Sequence, residues 1–342
     1  MKKLIAMGSV IALALPLQAA EVDSVPAKDL APVNVSGTQQ GPVIWRYSKV
    51  GNVVLVVGTV QPVPDGLDFP HFGIERGVAG SGAVLGSEGV VVGEGIGLFQ
   101  GLTLWPSIRK TKLIGDGKTL ADVLSPDDLA LWSELKARYM PNDRDVEKLK
   151  PAYAAWQLYE AALKRSGLKP GSVVAPVVSK AAKQASVPVV DVRYRLKIVD
   201  AKRAVKSFEI APDDDVACLR STMRGIQGVV QQAPVVSRTW AEGRLPELAE
   251  QFASLPRVDP CWSRLTNAAI AKEQGIDLQR VQHEAWLKGL AETTQANSVV
   301  FTTAPVRDLL AQEGVAKALV EQGFTLESMT SDHRAPESQA SR

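Results

Sequence analysis

Val43–Pro64 reads VIWRYSKVGNVVLVVGTVQPVP, and this stretch decides the fold. Two apolar, β-branched runs, Val43–Tyr47 and Val53–Thr59, flank Gly51–Asn52. Such runs around a Gly-Asn pair predict a β-hairpin. At the other end of the chain, Ser298–Thr303 and Phe324–Ser328 read as strands, with a helix at Val315–Gln322 between them. Strands at both ends with helical sequence between them predict one α/β (α+β) domain, with a central mixed sheet made from N- and C-terminal strands and a large helical insertion.

The helical signals lie between those strands. Ser125–Pro126–Asp127–Asp128 combines an N-cap serine, a proline at the first helical position and an acid three residues on. Leu129, Trp132, Leu135 and Tyr139 continue the helix, and a second spans Pro151–Arg165 with Gly167 just beyond it. Residues 175–185 read as a helix leading into a strand at Val187–Val192; longer helices are expected over 213–235 and 277–294. Val90–Val92 is a third short strand. The expected organisation is a leader at 1–20, a flexible lead-in at 21–40, a single domain at 41–330 with a helical insert at about 120–170, and a tail at 331–342.

The leader rests on a specific order of features. Lys2 and Lys3 precede an apolar run from Leu4 to Leu17, and Ala19–Ala20 offer a small-residue cleavage site. That is the pattern of a cleaved secretory signal peptide, and the run is shorter than the ~20 residues a membrane span needs. The protein is therefore expected to be exported, periplasmic or secreted, with no transmembrane segment after cleavage. The full chain carries 39 Lys and Arg against 37 Asp and Glu, and loss of the two leader lysines makes it formally neutral. Bulk charge gives no support for a nucleic-acid partner. The two cysteines, Cys218 and Cys261, are expected to form a disulfide in an oxidising compartment. Closing that loop would contribute ~4 kcal/mol in the chain-entropy model.

Several motifs together resemble the TraB/GumN family. The opening hairpin ends in Gly58–Thr59–Val60–Gln61, where the family has Gly-Thr-Ile-His. Gly117–Leu124 resembles the family's entry to its helical insert. Lys136–Tyr139, Asn142–Arg144 and Lys150–Pro151 follow in order. Trp240–Gly243 resembles a Trp-x-x-Gly turn, and Glu313–Val315 with Gly323–Phe324 resembles the closing segment. The resemblance runs over about residues 42–329. It implies the family's fold and, by its animal relatives, a metal-dependent protease with two Gly-x-x-His motifs and carboxylates. Such ligands bind a divalent cation that lowers the pKa of water.

At the positions that match those motifs, this chain departs. Gln61 replaces the first histidine, and an amide is a poor transition-metal ligand. Thr303–Ala304–Pro305–Val306–Arg307–Asp308 stands where the second motif should be, without its glycine or histidine. Ala175 replaces an aspartate before a helix, and Val192–Arg193 replaces a Leu-Glu pair after a strand. Arg193 would place a cation where the family has a carboxylate. Glu94 alone stays near a family strand-end glutamate.

The other candidates are weaker. His71 is the one histidine near the old motif, with a surface or satisfied-core role as its plainer reading; His333 lies in the tail. His283–Glu284 opens like a zinc helix but continues to Leu287, without the second imidazole. Gly93–Gly97 lacks a P-loop ending and reads as a tight turn, and no Gly-x-Ser-x-Gly motif occurs. Asp213–Asp215 reads as an acidic helix start, with a calcium site as the lesser reading.

The expectation is thus a pseudo-enzyme with a degenerate metal-hydrolase site, no cofactor, and a binding role toward an envelope peptide, glycan or protein. The rival is a metal-dependent hydrolase with a rearranged site, for which Glu94, Gln61, His71 and Asp308 are the groups to examine. A structural envelope component without a small-molecule site is the third.

Overall fold

The computed structural model describes residues 41–94, 110–197, 211–255 and 275–330. The expected leader, lead-in and tail, His333, Gly95–Gly97 and Cys261 lie outside the described residues.

Strands β1 (Ile44–Lys49) and β2 (Asn52–Thr59) form the expected hairpin, with Lys49 opposite Asn52 and Gly51 at φ +81° in the turn. That φ is open to glycine at little cost. Short strands β3 (Val63–Pro64), β4 (Ala83–Leu85), β5 (Val90–Glu94), β6 (Leu168–Lys169), β7 (Val189–Val190) and β8 (Tyr194–Lys197) follow. Strands β9 (Val299–Pro305) and β10 (Thr325–Thr330) complete the set. The central sheet has the order β10-β1-β2-β9-β4-β7. Its β10, β1 and β2 are antiparallel neighbours, whereas β2, β9, β4 and β7 run parallel. The first and last strands of the domain therefore adjoin, and the sheet is mixed, as the end strands predict.

The described residues contain nine α-helices. They are α1 (Phe72–Ala79), α2 (Pro126–Tyr139), α3 (Pro151–Arg165), α4 (Val174–Ala185), α5 (Pro212–Ala241), α6 (Leu245–Ser254), α7 (Leu278–Ala296), α8 (Val306–Ala311) and α9 (Gly314–Glu321). Ser125 caps α2 as its sequence predicts, accepting from the Asp128 N–H.

Two apolar clusters result. One surrounds the sheet: Trp45, Val54, Val56, Val57, Val300 and Phe301 pack with Ile74, Val178, Trp286 and Leu319 from the helices. The other gathers α2, α3 and the first half of α5 around Trp132, Leu135, Leu158, Leu219 and Ile226. Helix α5 serves both. Cys218 to Ala233 lie in the second cluster, and Val236, Trp240 and Ala241 lie in the first.

Where the structure differs from the expected elements, packing explains the difference. Helix α5 continues through Pro234 instead of ending near residue 235. A proline there removes one helical hydrogen bond, but Val236, Ser237, Thr239, Trp240 and Ala241 beyond it are all buried. The strand expected over Val187–Val192 shrinks to Val189–Val190, because Pro188 has no N–H and Asp191 turns the chain by accepting from the Arg193 N–H. The strand expected at Val90–Val92 extends through Gly93 and Glu94, so the tight turn does not begin at Gly93. It pairs with β8 in a separate two-stranded parallel sheet.

Two carboxylates tie the helical insert to α5. Asp128 of α2, 5% exposed, receives the Arg220 guanidinium on both oxygens at 3.0 Å and 3.0 Å from Nε, with Nη2 at 2.7 Å. That bidentate contact holds its carboxyl below the usual range. Asp215, in the acidic first turn of α5, accepts from the Ala152 N–H at the start of α3 at 2.6 Å. Burial pushes its carboxyl above the usual range, opposed by that hydrogen bond and by Lys150. A carboxyl raised in the folded state holds more protons than in the unfolded chain, so its contribution to stability falls as pH rises through the raised range. Asp215→Asn keeps an oxygen for Ala152 and removes the titration. Urea midpoints at pH 3.5 and pH 7 should therefore show the variant gaining on the wild type toward neutral pH. An unchanged difference between the two pH values would contradict this.

Candidate functional site

A cavity of about 500 Å³ opens at the C-terminal ends of the adjacent parallel strands β2 and β9. Open α/β sheets commonly bind ligands beyond those strand ends. The floor is the end of β2 and the chain after it, Thr59–Pro62, with the end of β9 and the start of α8, Pro305, Arg307 and Asp308. The far wall is α5, which presents Gly225, Gly228, Val229, Gln232, Ala233 and Val236, with Tyr159 of α3 and Phe252 and Leu255 at the sides. The cavity thus lies at the stretch of α5 where the two apolar clusters meet.

The sequence builds this floor locally. Gly58, just before the cavity, has no room for a side chain: a Cβ would lie 2.8 Å from Trp45 Cζ3 and 2.9 Å from Val306 Cγ2. The buried Trp240 indole donates to the Gly58 carbonyl at 2.8 Å, and its ring lies 5.0 Å from Phe69. Gly243, at φ +67°, then ends α5, with the Arg244 N–H returning to the Thr239 carbonyl at 3.1 Å. Both glycine motifs are therefore parts of one packing unit under the site. Thr59 Oγ1 donates to the Ala304 carbonyl at 3.2 Å and ties the ends of β2 and β9 together.

Electrostatically the cavity is mixed. Arg307 is half-buried; its guanidinium donates to the Leu255 carbonyl at 3.2 Å and lies 4.7 Å over the Phe252 ring. Those contacts orient it. Asp308 is half-buried beside it on α8, and Gln61 is exposed at the rim. Burial pushes the Tyr159 hydroxyl up.

Of the candidates read from the sequence, Gln61 and Asp308 are among the described residues that line this cavity. His71 does not: its Nδ1 lies 3.0 Å from the Phe69 carbonyl, its Nε2 lies 3.6 Å from Glu75, and its ring meets the Phe69 edge. Glu94 ends β5 in the separate two-stranded sheet. Ala175 sits inside the first turn of α4, not before it, and is exposed. Arg193 is engaged locally, with Nε 2.8 Å and Nη2 3.0 Å from the Asp191 carboxylate. This contact holds Asp191 down at about 2, so the cation expected to repel a metal is already compensated. His283 Nδ1 lies 3.0 Å from Glu88, and Glu284 pairs with Arg280 at 2.7 Å. Gln232, Gly225 and Gly228 were not singled out in the sequence, although Gly225, Gly228/Val229, Gln232 and Val236 recur at helical spacing and mark one face.

The donor set at this cavity does not fit the metal that the resemblance implies. It offers one carboxylate and two amides with a guanidinium beside them, and no imidazole. Among the described residues no group of three or more His, Cys, Asp or Glu could hold a metal ion. No helix among them is long and apolar enough to cross a membrane.

The TraB/PrgY/gumN family model matches residues 43–328, and the chain belongs to this family. The match spans both the β2 motif under the cavity and the final strand, so the expected family is the one found. A comparison with curated proteins finds no match, and a comparison with solved structures finds none.

Proposed function

We propose that this is an exported family member in which the metal-hydrolase site has become a non-catalytic binding pocket. One observation carries the reading. The chain after β2 and the chain after β9, where the family's two Gly-x-x-His motifs belong, do meet in a cavity, but they bring Gln61, Arg307 and Asp308 to it. Hydroxide generation at a metal needs several strong ligands and an open position; a guanidinium within such a cluster opposes it. Room for a ligand is nevertheless retained, because a Cβ at Gly228 would meet nothing within 4 Å. The rearranged-hydrolase reading keeps one carboxylate and an amide in the cavity, without His71.

Export and the disulfide belong to the same proposal. The leader motif motivates export, and Cys218 is buried in the second cluster, 3% exposed, with no free thiol among the described residues. Bridging to Cys261 would fasten α5 to the chain beyond α6. The mass of protein recovered from the cell envelope should begin after residue 20 and be two hydrogens short. Recovery with residues 1–20 attached, or alkylation of both thiols, would remove those parts of the proposal.

Activity is tested by incubating the mature protein with each common divalent cation and a panel of fluorogenic peptides. Turnover should not exceed that of a Gln61→Ala/Asp308→Ala double variant. Metal-dependent turnover that the double variant abolishes would overturn the non-catalytic reading.

A further inference from the structure

We infer that the cavity takes an uncharged ligand: a secondary amide carrying an apolar group. The inference rests on the pocket proposed above and names its ligand class. The cavity's volume of about 500 Å³ falls within the ~300–1,000 Å³ usual for small-molecule pockets. Its two charged lining residues are already engaged within the protein. Arg307 donates to the Leu255 carbonyl at 3.2 Å and lies 4.7 Å over the Phe252 ring, and neither it nor Asp308 is free. A charged ligand would shed its water on entry and meet charges that already have partners.

The uncommitted polar groups are amides. Among the described residues neither Gln61 nor Gln232 has a side-chain hydrogen-bond partner. Gln61 follows β2 on the floor and Gln232 is half-buried on the α5 wall, so the two lie on facing sides. Each amide donates and accepts. A trans secondary amide is planar, with its N–H and C=O pointing in opposite directions. It therefore donates to one glutamine and accepts from the other. Val229, Ala233 and Val236, at helical spacing on α5, form an apolar strip for the substituent. Gly228 leaves room beside that strip, because a Cβ there would meet nothing within 4 Å.

The same lining disfavours a sugar. A sugar ring carries hydroxyls around its rim, and against Val229, Ala233, Val236 and Leu255 most of them would lose water without gaining a partner. A single amide needs one donor and one acceptor, and Gln61 and Gln232 supply them.

Isothermal titration of the folded mature protein compares N-butylpentanamide with its ester, butyl pentanoate, which has the same shape but lacks the N–H. The amide should bind about tenfold tighter, the effect of leaving a glutamine carbonyl without its donor. Pentanoate, butylammonium and glucose should all bind more weakly than the amide. Replacing whichever glutamine accepts the N–H, by Gln61→Leu or Gln232→Leu, should erase the preference for amide over ester, and replacing the other should weaken both probes. Gly228→Trp, which fills the cavity, should abolish binding, and circular dichroism checks that each variant is folded. N-acetylleucine N-methylamide distinguishes the sources of the amide. If it binds tighter than the alkyl amide the natural ligand is a peptide interior, if more weakly an acylated amine, and both results support the inference. Equal binding of amide and ester, tighter binding of a charged probe or of glucose, or amide binding that survives Gly228→Trp would overturn it. So would no binding of either amide. None of these results bears on the absence of hydrolysis, which the turnover assay judges separately.

Discussion

Replacing Trp240 by alanine is expected to destabilise the protein by about 3–5 kcal/mol, the range for truncating a fully buried tryptophan. The indole fills the space between Phe69 and the sheet and donates to the Gly58 carbonyl at 2.8 Å. Truncation therefore leaves a cavity and a buried carbonyl without its donor. Trp240→Phe separates the two terms: it restores most of the volume and should cost about 1–3 kcal/mol, the penalty for the orphaned acceptor. Urea denaturation followed by circular dichroism measures both. A loss below about 1 kcal/mol for the alanine variant would mean that α5 is not anchored to β2 at this point.

The second large effect is expected at Gly58. A methyl group there would lie 2.8 Å from Trp45 and 2.9 Å from Val306, both buried. Overpacking of this kind costs about 1–3 kcal/mol. The strain should also displace α8, which begins at Val306 and carries Arg307 and Asp308. Gly58→Ala is therefore expected to weaken ligand binding as well as stability. The Gly58→Ala/Val306→Ala double variant should be less destabilised than the sum of the two single variants, because truncating Val306 relieves part of the clash. Strict additivity in that cycle would show that the two side chains do not compete for the same space.

These two positions explain which parts of the family pattern survive here. Gly58 and Trp240 belong to stretches that resemble the family's motifs, and they pack against one another through the Gly58 carbonyl. Gln61, three residues beyond Gly58, has no such constraint at the exposed rim. A chain can lose its ligands and keep its fold because the ligands sit at strand ends, outside the core.

Much of the fold was legible in the sequence for the same reason. The β1–β2 hairpin, α2 with its Ser125 cap, and α3 all carry strong local signals, and local and tertiary preferences agree there. The elements that escaped notice are short: β3, β4, β6, β8, α1, α6 and α8 have too few residues for a clear period. The helix expected over 213–235 already passes Pro234; its last turns, Val236 to Ala241, were missed, and their burial keeps the helix going. At the site, Gln61 and Asp308 were flagged by their places in the motifs. Gln232 was not, because its role depends on which face of α5 turns toward the ends of β2 and β9. His71 was flagged by its proximity in sequence, with a surface or satisfied-core role as the plainer reading, and the chain carries it into contact with Phe69 and Glu75.

In the proposed function the ends of β2 and β9 frame a binding pocket and not a metal centre. Metal analysis of the mature protein, purified from the cell envelope without chelator, tests it most directly. The account predicts far less than one equivalent of any transition metal per chain. About one equivalent, removed by a chelator together with a peptidase activity and restored with it, would contradict the account.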